Sequence, residues 1–574
     1  MFQRQQKKKS PVLTLSRHFF DRLFQNDIVS FEEQMTGRII GILAVLSVYL
    51  GYMAFWITGK YTFIPDEGSS WQEKFIMLCA TMLVIAVLSL LEWDSLFLDS
   101  RDFANFVPLP MNVRTLFLAK FLSLCTFAGI FALGINILVA FTFFSTFANY
   151  VSSRLSFMPY FFLVHFLASF LEAFFTLFFF AAFVGFLSLI LGEKLFKKVS
   201  SYLRGILLSI AVFLGFNSLI IDLTFYENIT QTLAFWKVQA PFKMIFIPPM
   251  WFIGLYETLL GNKEPVFQAL AYVALLSIPV SLGALYLTVG LSFRRHLNKF
   301  GTRLLRKKLF FRIKESIFHI LKNTLLRHPD QRAVFDFYRK TMKGSQIHRT
   351  RLIGFLAAGA GIILFYLLGW RVSLANLSEV TRISLSIPLI FILSLILGIR
   401  NVVNVPSELE ANWVFQLTEK KSFRYYLSGL RKGILILNIL PISLLFFLFY
   451  SFLWGMPTAA YHFVYILGIS VLLMETFFLK YHKIPFACSY MPGKEKLHVY
   501  LGLYIIGFVI YYFLTTSAAM ILLQKPLYLA VFWVGILAAV LGIRLYQNHY
   551  FYSRTQIIYE EEIEPAMVTL ESSY

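Results

Sequence analysis

Residues 159–191 read PYFFLVHFLASFLEAFFTLFFFAAFVGFLSLIL, an apolar run in which Glu172 is the only formally charged residue. A bilayer core of about 30 Å is crossed by about 20 apolar residues in a helix. Lipid offers no partners to backbone N–H and C=O groups, so only a helix or a closed barrel can cross it. The run is therefore predicted to be a membrane-spanning helix, long enough to tilt or to continue as a cytoplasmic helix.

Similar runs fill most of the 574-residue chain, 58% of which is hydrophobic and only 14% charged. A soluble protein of this length would carry far more charge. We predict an all-α polytopic membrane protein with about twelve transmembrane helices. The predicted spans are Ile39–Ile57, Phe75–Leu91, Phe121–Thr142, Pro159–Leu191, Gly205–Leu223, Val266–Ser292, Leu352–Trp370, Ile383–Ile399, Gly433–Trp454, Tyr461–Leu479, Val499–Leu523 and Leu527–Gly542.

The basic residues fall almost entirely on alternate loops. With the N-terminus in the cytoplasm, the inside segments hold 43 of the 52 Lys and Arg residues and the outside segments hold 9, which leaves none for the helix interiors. An excess of Lys and Arg in cytoplasmic loops sets the orientation of membrane proteins. We therefore expect a multi-pass protein of the plasma (inner) membrane with both termini in the cytoplasm.

The same bias accounts for the net charge of +21. Basic cytoplasmic loops attract anionic lipid head groups, so lipids are expected partners on that side. Nucleic acid is not an expected partner, because the chain has no basic and aromatic surface module. Its three cysteines exclude a disulfide framework, and its ten histidines show no metal-ligand spacing.

The order of features is repeated in the two halves of the chain. Phe20-Asp21 and Phe335-Asp336 each lie in an amphipathic segment that precedes a first span. Acidic, aromatic stretches then follow the second span of each half. We predict a first six-helix half with an N-terminal interfacial helix at 1–292 and a basic cytoplasmic linker with interfacial helices at 293–350. A second six-helix half follows at 351–545, and a cytoplasmic tail at 546–574. Two segments, His18–Phe31 and Phe310–Leu326, are predicted to be helices on the membrane surface.

The loop between the second and third spans carries the most specific pattern. Residues 92–120 read EWDSLFLDSRDFANFVPLPMNVRTLFLAK: an acidic helix-forming piece, a Pro-x-Pro break and a basic return to the membrane. We name residues 92–120 the first coupling segment and residues 407–432 the second coupling segment. The first resembles the cytoplasmic coupling segment of ABC-2-type permeases, the transmembrane subunits of ABC transporters. The resemblance is carried by Glu92, Arg101, Asp102, Leu109, Pro110, Arg114, Leu116 and Lys120.

The resemblance implies that a separate ATPase subunit docks on the coupling segments. No Walker A pattern occurs in the chain, so ATP and Mg would be bound by the partner, and this chain would not itself be an enzyme and would need no cofactor or metal. Two halves imply two ATPase copies. The residues expected at the docking surfaces are Glu92, Arg101, Asp102, Phe103, Leu109, Pro110 and Arg114 in the first segment, and Glu408, Glu410, Trp413 and Phe415 in the second, which lacks the prolines. The family also has a helical dip into the outer membrane face, for which Phe235–Leu260 is suited.

Two acidic residues, Glu172 and Glu475, interrupt the fourth apolar run of each half. A carboxyl group within a membrane span is a candidate functional group, here for the substrate pathway. A neutral glutamic acid, or one paired with a polar neighbour such as His165, is the structural alternative. The resemblance favours an ABC exporter. An ion-coupled secondary transporter that uses Glu172 and a polytopic enzyme acting on lipid-linked substrates are the alternatives.

Overall fold

The computed structural model describes residues 10–24, 32–59, 70–96, 113–147, 154–219, 223–297, 326, 328–369, 379–407, 409–417, 423–488, 497–551 and 559. Within these ranges every regular element is helical, and twelve helices are long and apolar enough to cross a membrane. They are Ile40–Thr58, Trp71–Leu91, Arg114–Thr146, Met158–Gly192, Lys198–Asn217, Pro265–Leu291, Gln346–Leu368, Arg382–Val402, Arg424–Trp454, Met456–Phe477, Ile506–Leu523 and Leu527–His549. Each overlaps one predicted span, which confirms the all-α polytopic fold.

Backbone contacts divide the chain into two compact units. One holds residues 1–200 and 210–304, and the other holds 201–209 and 305–574. The three predicted boundaries between the four segments stay predictions. The predicted surface helix Phe310–Leu326 lies outside the described residues except for its last residue.

The helices of the first part of the chain are α1 (Pro11–Phe24), α2 (Glu32–Thr58), α3 (Trp71–Leu91), α4 (Trp93–Leu96), α5 (Val113–Phe147), α6 (Arg154–Leu219), α7 (Leu223–Gln239), α8 (Pro248–Leu259) and α9 (Pro265–Leu297). The helix predicted at His18–Phe31 is α1, which begins earlier, at Pro11. Helix α6 contains the fourth and fifth spans and is interrupted at Gly192, whose φ of 68° favours glycine.

In the first unit, α1 packs along α5. Phe19 is fully buried, and the ammonium nitrogen of Lys120 lies 5.2 Å from the centre of its ring. A cation above an aromatic face is attracted by the ring quadrupole. Helix α1 is therefore held at the start of the predicted third span.

The proline-rich stretch predicted as a membrane dip is a broken helix. Helix α7 ends at Gln239, a single 3-10 turn follows at Pro241–Phe246, and α8 starts at Pro248. Proline suits the first turn of a helix because its missing N–H would have had no partner there. Helix α8 then packs tightly on α9 and α3, so this stretch forms part of the core of the unit.

The helices of the second part are α10 (Pro329–Gly344), α11 (Gln346–Leu364), α12 (Arg382–Val402), α13 (Trp413–Leu417), α14 (Phe423–Ile434), α15 (Leu440–Trp454), α16 (Met456–Phe477), α17 (Leu497–Gln524) and α18 (Pro526–Tyr546). A π-helical turn at Leu435–Ile439 joins α14 to α15 within the ninth span. Helices α15 and α16 are linked through Gly455 alone, at φ 81°.

In the second unit, α10 packs on α14 as α1 packs on α5 in the first. The ammonium group of Lys432 donates to the side-chain oxygen of Gln331 at 3.3 Å. Burial raises the pKa of Tyr338 above its ordinary value, so its hydroxyl stays protonated and donates to Asn438 at 2.7 Å. In both units a lysine at the start of the predicted third span contacts the amphipathic helix.

The close approach of α10 and α14 depends on Gly429. A Cβ atom there would lie 2.6 Å from the backbone oxygen of Gln331. We expect Gly429→Ala to separate the helices and to cost about 1–3 kcal/mol through overpacking, less the small gain in helix propensity. Thermal unfolding of the purified protein, followed by tryptophan fluorescence, measures the loss. Gly535→Ala, at a helical position with open space around it, is the matched control. Equal midpoints for the two variants would contradict the packing argument.

Candidate functional site

Only the two ends of the first coupling segment lie in the described part of the chain. Glu92 follows the last residue of α3 and is half-buried, and Arg114 is exposed on α5. Between them, Trp93 is buried and its indole N–H donates to the hydroxyl of Ser200 at 2.9 Å. The other predicted docking residues of this segment, Arg101, Asp102, Phe103, Leu109 and Pro110, lie outside the described residues.

Of the second coupling segment, the structure describes Ser407, residues 409–417 and residues 423–432. Residues 409–417 form a 3-10 turn followed by the short helix α13. Leu409, Trp413 and Leu417 recur every four residues and are 40%, 58% and 77% exposed. Trp413 and Leu417, four residues apart on α13, share one face of that helix, and Leu409 is exposed in the 3-10 turn before it. We name Leu409, Trp413 and Leu417 the apolar stripe. Glu408 and the side chain of Glu410 lie outside the described residues.

The opposite side of α13 is held by Phe415. Its ring packs against the buried loop residues Ile484, Ala487 and Cys488, and its centre lies 5.6 Å from that of Phe337 on α10. Its carbonyl accepts a hydrogen bond from the Tyr559 hydroxyl. The predicted docking residue Phe415 therefore fixes the segment, whereas Trp413 is available to a partner.

The loop that follows the tenth span contacts the same segment and has a strained backbone. Phe486 has a φ of 61°, a left-handed conformation that bulky residues rarely adopt, and its side chain is buried. Its N–H donates to the carbonyl of Val403 at 3.0 Å, and its carbonyl accepts from the N–H of Ser407 at 2.9 Å. The second coupling segment is therefore tied through backbone hydrogen bonds to the loop that follows the tenth span.

Glu475 is the centre of a buried charge cluster. Its carboxylate accepts two hydrogen bonds from Arg544, at 2.7 and 3.0 Å, and lies 2.5 Å from a guanidinium nitrogen of Arg431. Arg431 also donates to the side chain of Gln547 at 2.6 Å. Because Arg431 ends the second coupling segment, the cluster joins that segment to α16 and α18. We name Glu475, Arg431 and Arg544 the charge cluster.

A second buried ion pair lies in the first unit. The ammonium group of Lys74 on α3 is 2.7 Å from a carboxylate oxygen of Glu257 on α8. Beside it, Tyr256 is hydrogen-bonded to Nδ1 of His165 at 3.0 Å. Burial, and then the neighbouring Glu257, raise the pKa of Tyr256, so its hydroxyl remains protonated. Lys74 and Arg431 both lie within candidate spans of the structure, near their starts, and each pairs there with a carboxylate. The predicted distribution of basic residues between the two sides of the membrane stays a prediction.

Glu172 has a different environment from Glu475. It is completely buried near the middle of the fourth span, and neither carboxyl oxygen has a hydrogen-bond partner among the described residues. His165, proposed as its polar neighbour, is bonded to Tyr256 instead. The structure therefore brings Glu475 together with the coupling segment and leaves Glu172 apart from it.

Comparison of the chain with known protein families, with curated proteins and with solved structures gives no match. No group of three His, Cys, Asp or Glu side chains in the described ranges could hold a metal ion.

Removing the carboxylate from the charge cluster should be strongly destabilising. In Glu475→Ala the buried Arg431 loses its counter-charge, and breaking a buried pair costs about 3–5 kcal/mol. Glu264→Ala, which breaks the more exposed pair with Lys237, is the matched control and should cost about 0–1 kcal/mol. Yield of folded protein and the thermal midpoint in detergent measure both. A Glu475→Ala protein as stable as the control would show that the cluster contributes nothing.

Proposed function

We propose that the chain is the membrane subunit of an ABC transporter of the ABC-2 type, an exporter driven by separate ATP-binding subunits. The twelve candidate spans fit a membrane transporter in general. The finer assignment is supported by one observation above all: the second coupling segment presents the apolar stripe outward while Phe415 fixes its other side.

A docked ATPase needs such a rigid projection. Aromatic and large apolar side chains at the centre of an interface carry most of its binding energy. The apolar stripe would insert into a groove of the ATPase, and the charge cluster behind it would transmit movement to the ends of α16 and α18. The first coupling segment, including Arg101 and Asp102, would dock a second ATPase copy on the same principle.

Substrate would then pass through the membrane by alternating access of the helices. Glu172 and Glu475 were predicted along the pathway. The ion pairs of Glu475 favour a role in holding the segment, and Glu172 stays the candidate for the pathway. Anionic lipids on the cytoplasmic side and a plasma-membrane location with both termini inside belong to the same proposal.

An ion-coupled secondary transporter is a second candidate, favoured by the unpartnered carboxyl of Glu172 in the fourth span. It would move substrate without an ATPase. Transport by the purified chain alone in vesicles, abolished by collapsing the ion gradient, would establish it in place of the first proposal.

Trp413→Ala tests the docking surface. Purified from native membranes with a tag on this chain, the unchanged protein should bring an ATPase with it. The variant should lose at least most of that ATPase, because truncating a central interface aromatic costs about 2 kcal/mol or more. Phe452→Ala, which removes an even more exposed aromatic from the opposite end of the ninth span, is the matched control and should keep the ATPase. Absence of any ATPase from the unchanged protein, or equal recovery with both variants, would contradict the proposal.

A further inference from the structure

A stripe of buried polar side chains runs along one face of α6 in the first unit. His165, Ser169, Glu172 and Thr176 are spaced four, three and four residues apart, and all are at least 97% buried. This spacing keeps side chains on the same side of a helix, over about 16 Å of its length. We name these four residues the polar stripe.

Most of the polar atoms in the stripe have no hydrogen-bond partner in the described ranges. These are Nε2 of His165, Oγ of Ser169 and both carboxyl oxygens of Glu172. The hydroxyl of Thr176 donates to the carbonyl of Glu172, and Nδ1 of His165 is bonded to Tyr256. Buried polar groups in proteins are almost always paired, and exceptions call for a bound species that completes them. Water molecules and a proton are the smallest species that could do so.

At the end of the polar stripe that carries His165, charged groups lie close by. His165 is bonded to Tyr256, which is adjacent to Glu257, and Glu257 pairs with Lys74. In the proposed topology Lys74 lies on the outer side of the membrane. The stripe therefore connects the middle of the fourth span with ionisable groups near one surface.

The groups that face the polar stripe define what it could bind. Helix α3 contributes Lys74 toward His165 and the thiol of Cys79 toward Glu172. Helix α8 contributes Tyr256 and Glu257, and α5 contributes the apolar ring of Phe143 against His165. None of these contacts places a cation against the carboxyl group of Glu172; Lys74 lies toward His165 and is paired with Glu257. An isolated carboxylate in so apolar a site would be very costly, so Glu172 is stable there as the neutral acid.

We infer that Glu172 is a proton-binding site within the membrane, which exchanges its proton with the outer side along Ser169, His165 and Tyr256 through intervening water. In the exchange, a water on the outer side gives up one proton and the Glu172 carboxylate becomes the acid; release reverses both changes. The site goes beyond ATP-driven transport and would supply the coupling ion of the second candidate function.

Reaction with dicyclohexylcarbodiimide, a hydrophobic reagent, tests the site in the complete chain. The acid form of a carboxyl group gives its proton to a nitrogen of the reagent, and the carboxyl oxygen bonds to the central carbon. Rearrangement then gives a stable acylurea, which mass spectrometry of peptides locates. We expect the adduct on Glu172, with labelling falling several-fold as the pH is raised on the side that carries Lys74 and Glu257.

Glu475 is the internal control in the same sample. It is equally buried, but it is ion-paired with Arg431 and Arg544, so it should remain unlabelled. The protein is reconstituted in vesicles whose inner and outer pH are set separately, and the orientation of the chain is established by protease accessibility. Labelling of Glu172 that follows the pH on the Lys74 side confirms the inference.

Three results would overturn it: no adduct on Glu172, equal adducts on Glu172 and Glu475, or labelling that follows only the pH of the opposite side. His165→Phe tests the route, since it preserves ring packing against Phe143 and Phe161. In this variant Glu172 should still be labelled, but the change in its labelling after a pH jump should be several-fold slower. An unchanged rate would show that His165 is not part of the route. No ATPase takes part in these measurements, so their failure is distinguishable from failure of the permease proposal.

Discussion

Lipid supplies no hydrogen bonds, and this constraint governs how the polar side chains within the described spans are partnered. Small hydroxyl side chains find a hydrogen-bond partner within their own helix. Thr58, Thr81 and Ser89 each donate to the backbone carbonyl four residues earlier. Charged side chains cannot do so and need partners on other helices. The pairing of Lys74 with Glu257 and the charge cluster around Glu475 follow from this, and each fixes the relative positions of the helices that contribute to it.

The two halves satisfy the constraint differently at their fourth spans. In the second half a glutamate is ion-paired with two arginines, one from near the end of the coupling segment and one from α18. In the first half Glu172 has no such partner among the described residues, and Lys74, on the His165 side, is paired with Glu257. A repeated architecture has thus produced one site suited to holding helices together and one site suited to changing its charge.

The number, type and order of the spans could be predicted because hydrophobic length alone determines them. Proline positions also predicted the break at Pro241 and Pro248. The charge pairs could not be predicted, because Glu475 and Arg544, or Lys74 and Glu257, are far apart in sequence and meet only through helix packing. Arg544 lies just beyond the predicted twelfth span, Leu527–Gly542, and α18 continues past it to Tyr546. The left-handed backbone of Phe486 has no local signal at all, since neither glycine nor asparagine stands there.

The π-helical turn at Leu435–Ile439 has a consequence for how the ninth span is read. On a regular helix, at about 100° per residue, Arg431 and Tyr450 would point about 100° apart. A π turn absorbs one additional residue, which brings the two side chains back into line. Tyr450 accordingly donates to the carbonyl of Ser384 at 2.6 Å, on the same inward side that places Arg431 beside Glu475. A helical wheel drawn through the whole span as one regular helix would place these two side chains on different faces. The inward-facing and lipid-facing sides must therefore be assigned separately before and after this turn.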